Sequence, residues 1–84
     1  MSYYVYLIGG FKKFKLKTYV GYTKNLKKRL FKHNSGKGAK STRGYKWKFF
    51  YHKKYSFKKQ AMRQEYLLKK NKLERKKIVN KFVH

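Results

Sequence analysis

The segment Leu16-Lys17-Thr18-Tyr19-Val20-Gly21-Tyr22-Thr23-Lys24-Asn25-Leu26-Lys27-Lys28-Arg29-Leu30 changes its period in the middle. Up to Tyr22 the residues alternate, with Leu16, Thr18, Val20 and Tyr22 on one face and Lys17, Tyr19 and Gly21 on the other, the signature of a strand. Beyond it Leu26 and Leu30 stand four apart, the stripe of a helix that Thr23 or Asn25 can cap and that Asn34-Ser35-Gly36 ends near His33. Upstream, Tyr3 to Ile8 is a β-branched and aromatic run closed by Gly9-Gly10, which reads as a strand buried on both faces. Phe11 to Lys15 then forms a basic loop, and the two strands pair as an antiparallel hairpin.

Downstream, Gly36 to Gly44 lacks apolar periodicity and reads as an exposed basic loop suited to tracking phosphates. Trp47 to His52 has strand character. Ser56 can cap a second helix whose inward stripe is Phe57, Ala61 and Leu68, and a weaker helical pattern follows around Leu73, Ile78 and Phe82. The expected fold is an α/β domain of α+β type, a small three-stranded mainly antiparallel sheet flanked by helices. It forms a single domain over residues 1–84, with its core at about 3–69 and a basic C-terminal helix or tail over 70–84.

Composition narrows the partner. The 84 residues carry 26 Lys and Arg against 2 Asp and Glu, a formal charge of +24, and 20% of them are aromatic. So many cations repel one another unless a polyanion is near, while the aromatics argue against a disordered basic tail. With no cysteine there is no disulfide, thiolate metal site or cysteine nucleophile. The absence of a long apolar run sets a membrane span aside, and the expected location is cytoplasmic.

Only Glu65 and Glu74 are acidic, so a metal-dependent reaction must run on one carboxylate. Glu65 lies beside the Ala61 and Leu68 stripe and turns partly toward the sheet; it can pair with Lys69 at i+4 or ligate Mg²⁺. Arg29 and His33, also i and i+4, project from one face of the first helix and could share a phosphate. Tyr6 and Tyr19 fall on neighbouring strands within reach of each other.

In order, Tyr4-Val5-Tyr6, then Tyr19-Val20-Gly21, a small hydroxyl residue, Asn25 before Leu26, Arg29, His33, the Gly38-Ala39-Lys40-Ser41-Thr42 segment, Trp47 and a helix bearing Glu65 resemble the GIY-YIG nuclease superfamily. The likeness is closest to its stand-alone, structure-specific branch. Tyr4 replaces the glycine of the first half-motif, and Tyr22 stands where some relatives carry Lys or Arg near the phosphate.

The resemblance implies an endonuclease that hydrolyses DNA phosphodiesters with Mg²⁺, for which Mn²⁺ can substitute, in repair or recombination. Tyr19 is then the general base and Tyr6 holds the water or a phosphate oxygen. Glu65 binds the metal, Arg29 clamps the scissile phosphate, and His33 orients the nucleophile or shares the proton relay. Tyr22, Lys24, Lys28, Lys37, Lys40, Thr42 and Arg43 are the expected contacts to the DNA backbone, with little base readout. Target selection then falls to these residues or to a protein partner. The alternative is a non-catalytic DNA- or RNA-binding module that retains the nuclease fold; binding to an anionic membrane is weaker, because the first half is rich in strand.

Overall fold

A computed structural model describes residues 2–83. Strand β1 spans Tyr3–Lys12, β2 Lys15–Thr23, helix α1 Leu26–Asn34, β3 Lys46–Tyr55, α2 Lys58–Lys70 and α3 Lys72–Val83, with a 3-10 turn at Lys40–Thr42 before β3. The sheet is antiparallel throughout in the order β2-β1-β3, so the N-terminal strand is central. The expected α+β fold of three strands with flanking helices is the one observed.

A central strand must be apolar on both faces, and β1 is. Val5 and Leu7 join Val20, Ala61 and Leu68 under α2, while Tyr6 and Ile8 join Trp47 on the opposite side, where Leu26 and Leu30 of α1 pack. In β3 the register shifts between Leu7 and Ile8, whose partners are Tyr51 and Phe49. The extra residue, Phe50, exchanges the faces: Trp47 and Phe49 pack with Tyr6, whereas Phe50, Tyr51 and Tyr55 pack with Val5.

The hairpin differs from its expected form. β1 runs through Gly9-Gly10 to Lys12, and only Lys13 and Phe14 form the turn. The glycines belong to the strand because rings from β3 lie on them. A Cβ on Gly10 would fall 2.7 Å from Cδ2 of Trp47, and one on Gly9 would overlap the Phe50 ring.

α1 begins as expected. The Asn25 side chain accepts from the Lys28 N–H at 3.0 Å, and Thr23 Oγ1 accepts from the Asn25 N–H at 3.2 Å.

α2 departs from expectation at its start. Its N-cap is Phe57, which offers no side-chain bond and is 71% exposed, so Ser56 is not the cap and Phe57 leaves the inward stripe to Ala61 and Leu68. In α3, Ile78 packs on the Val5 cluster and Phe82 stacks on Phe50 at 4.1 Å, while Leu73 is exposed. Among the described residues no helix is long and apolar enough to cross a membrane.

Candidate active site

The face of β1 opposite α2 carries Tyr6, whose side chain is completely enclosed. It fits there because its partner on β2 is Gly21; a Cβ at that position would lie 2.5 Å from the Tyr6 hydroxyl. Arg29 and His33, one turn apart on α1, both reach this hydroxyl. Arg29 Nε donates to it at 3.2 Å, and His33 Nε2 stands 2.9 Å from it. Tyr19 sits diagonally across from Tyr6 on β2, with its half-buried ring 4.9 Å from the imidazole and 6.4 Å from the Tyr6 ring.

His33 is fully buried and is held from behind. Its Nδ1 lies 3.0 Å from Thr42 Oγ1, and that hydroxyl donates its single proton to the Ala39 carbonyl at 2.8 Å. Thr42 can therefore only accept from His33, so Nδ1 carries the imidazole proton. Burial, helped by the Arg29 charge, lowers the His33 pKa to about 4, so the ring is neutral at pH 7. Nε2 is then a bare acceptor, and the Tyr6 hydroxyl donates to it. The network orders every proton from Arg29 through Tyr6, His33 and Thr42 to Ala39.

Burial raises the Tyr6 pKa above its ordinary value, against the pull of Arg29, and the nearby Tyr19 and Glu65 add to the rise. Arg29 is held more firmly charged, chiefly by its hydrogen bond to Tyr6. Nε is engaged with Tyr6, and the Tyr19 phenol also bears on the guanidinium, so the Arg29 charge lies against both tyrosines.

Thr42 was expected to touch DNA from an exposed loop. Its side chain is instead wholly buried, because a buried histidine needs a partner for Nδ1, and the Lys40–Thr42 turn folds inward to supply it. Tyr22 is half-buried against the Val5 cluster, on the sheet face away from Tyr6. Lys24, Lys28, Lys37, Lys40 and Arg43 are exposed, and Lys24 lies over the Tyr3 ring at 5.7 Å.

Glu65 stands on α2, its side chain 19% exposed, with Lys69 Nζ 3.8 Å away. No three His, Cys, Asp or Glu gather among the described residues. Glu65 is the carboxylate whose charge acts on Tyr6, so it is the residue present that could hold a divalent cation beside the cluster. That donor set fits Mg²⁺, which commonly takes one or two carboxylates and keeps its waters.

Three residues outside the expected set shape the site. A Cβ on Gly38 would fall 2.6 Å from His33 Nδ1. The Asn34 side chain clamps the Trp47 backbone, accepting from its N–H at 2.6 Å and donating to its carbonyl at 3.1 Å. Trp47 Nε1 in turn donates to the Thr42 carbonyl at 2.7 Å. In the sequence Asn34 signals only a helix stop, and nothing local links Gly38 to His33.

The pattern of the GIY-YIG catalytic domain matches residues 2–78. The chain belongs to the GIY-YIG family. It is 52% identical over 52 residues to a UPF0213 protein of Bacillus pumilus, covering 61% of this chain and 53% of the relative. It is 46% identical over 59 residues to a UPF0213 protein of Streptococcus pneumoniae serotype 4, covering 69% and 60%. A UPF0213 protein of Streptococcus pyogenes serotype M5 is 47% identical over 62 residues, covering 71% and 66%. The chain thus spans between 53% and 66% of the length of these relatives. No solved structure matches it. The match to the catalytic domain takes in the strands and helices that carry Tyr6, Tyr19, Arg29, His33 and Glu65.

Proposed function

We propose that the protein is a divalent-cation-dependent DNA endonuclease that hydrolyses phosphodiesters with Mg²⁺, or Mn²⁺, on a single carboxylate. The observation that carries this reading is the convergence of Arg29 and His33 on the Tyr6 hydroxyl beneath the Tyr19 ring. Buried side chains with fixed proton positions are pre-organised, so they need not reorient as charge develops.

In this reading Tyr19, the less enclosed phenol, gives up its own proton to bulk water and then, as phenolate, takes a proton from the attacking water. Tyr6 keeps its proton, donating a hydrogen bond to His33 and accepting one from Arg29, and so fixes the guanidinium beside the Tyr19 ring. Arg29 keeps Tyr6 in place through Nε and meets the scissile phosphate with its outer nitrogens. His33 stays neutral and holds Tyr6 in this orientation. Glu65 would hold the cation, which when bound supplies charge to the leaving 3′ oxygen and the crowded phosphate. The surrounding lysines and Arg43 grip the DNA backbone without reading bases.

The test is cleavage of supercoiled plasmid and of flap, junction and duplex oligonucleotides with Mg²⁺, Mn²⁺ or EDTA. Glu65→Gln is expected to bind DNA as well as the parent or better and to lose cleavage. Cutting by this variant at the parent rate removes Glu65 as the ligand. The pairing of Glu65 with Lys69 favours a second reading, in which the carboxylate only braces α2 and the domain binds nucleic acid without cutting. That reading predicts no nicking with any divalent ion and only modest affinity changes in Tyr19→Phe and Arg29→Ala.

A further inference from the structure

The tip of the β1–β2 hairpin is built against the preferences of its own backbone. With positive φ at its first central residue only, this two-residue hairpin turn is of the II′ kind, which favours glycine at that position. Here the pair is Lys13-Phe14, and Lys13 sits at φ 55°. Phe14 has no neighbour to pack on and is 105% exposed, while Phe11 and Leu16 beside it are 42% and 41% exposed. Lys13 thus works against the turn, and Phe14 adds nothing to the core. An unfavourable backbone kept together with a bare aromatic ring points to a ligand.

The surroundings say which kind. Lys12, Lys13, Lys15 and Lys17 flank Phe14 along the chain, a density of charge above that of this basic chain as a whole. The base of the tip is anchored to the neighbouring basic loop. Lys17 Nζ donates to the Ser41 carbonyl at 2.7 Å, and Lys12 and Lys17 lie over the Tyr45 ring at 5.9 and 5.4 Å. Lys40 and Arg43 thereby continue the same positive surface toward the site.

We propose that this tip is a DNA-reading wedge: Phe14 stacks on an unpaired or unstacked base while the flanking lysines hold the phosphates on either side. The proposal rests on the nucleic-acid substrate proposed above and adds the class of DNA selected, a duplex with a local break in stacking. The hairpin sets the spacing. At about 3.3 Å per residue, the strand from Tyr19 to Phe14 covers roughly 16 Å, or five base-pair steps from the scissile phosphate.

The experiment uses the full chain in EDTA, so binding is read without cleavage, with a perfect duplex and the same duplex carrying one unpaired 2-aminopurine. The parent is expected to bind the interrupted duplex about tenfold more tightly and to change the probe's fluorescence. Phe14→Ala should lose that preference while keeping the salt dependence of binding, since every lysine remains. The double variant Lys13→Gly/Phe14→Asn, which supplies the residues this turn favours, should lose it too while melting no lower than the parent. Equal affinity of the parent for both duplexes, or a preference that survives Phe14→Ala, overturns the wedge and leaves the nuclease reading intact. Failure of the parent to bind any DNA overturns both. Sedimentation with phosphatidylglycerol vesicles that is lost in Phe14→Ala, with DNA binding unmoved, also overturns the wedge and assigns the tip to lipid.

Discussion

Acidification should loosen this domain through a single side chain. His33 is buried neutral, with its pKa lowered from 6.5 to about 4, so the unfolded chain takes up a proton at this residue that the folded chain refuses. The unfolded state binds more protons throughout that window, so stability is complete above pH 6.5 and falls as the pH drops toward 4. At 1.36 kcal/mol per pH unit, the loss is about 2 kcal/mol by pH 5 and approaches about 3 kcal/mol at the lower end. For a domain of this size, the loss at pH 5 lowers the melting temperature by roughly 10 °C.

Glu65 and Glu74 are the only acids, so the carboxylate titrations that obscure acid unfolding in most proteins are nearly absent. The assay is urea unfolding at intervals from pH 7.5 to 4.5, for the parent and for His33→Gln, which keeps polar atoms near Tyr6 and does not titrate. The variant should be less stable at pH 7 and should lose much less than the parent on acidification. Parallel profiles for the two proteins would refute the reasoning, because the proton uptake would then lie elsewhere.

Two further outcomes follow from close contacts and caps. Gly21→Ala places a methyl 2.5 Å from the Tyr6 hydroxyl and should push that ring off Arg29 and His33, lowering the cleavage rate by about 100-fold while circular dichroism reports an intact sheet. Phe57→Asp gives α2 a capping side chain and a negative charge at its first turn, and should raise stability by about 1 kcal/mol in urea titrations.

Much of this arrangement could be read from the chain alone, because it depends on neighbours close in sequence. The alternation from Leu16 to Tyr22 fixes which side of β2 meets α2, and the i, i+4 spacing brings Arg29 and His33 to one face. Asn25 caps α1 by a bond that spans three residues. What the chain conceals depends on partners far along it. Gly9-Gly10 resembles a turn until Phe50 and Trp47 of β3 are seen to lie on it. Thr42 resembles an exposed loop residue until His33, nine positions earlier, is seen to need an acceptor. Phe57 looks like the start of an inward stripe, but α2 begins just after it and turns it outward. The bulge at Phe50, which decides the face of each β3 aromatic, has no local mark at all.

The central place of β1 in the sheet bears on how the chain reaches this form during synthesis. Of the three strands, β1 is made before the others and is the one that needs cover on both faces and both edges, and its hairpin partner follows at once. Its other edge waits for β3, and the face toward Val5 and Leu7 waits longer, for α2. Through that interval the half-made sheet exposes apolar surface, and the like charge of its lysines keeps one incomplete copy away from another.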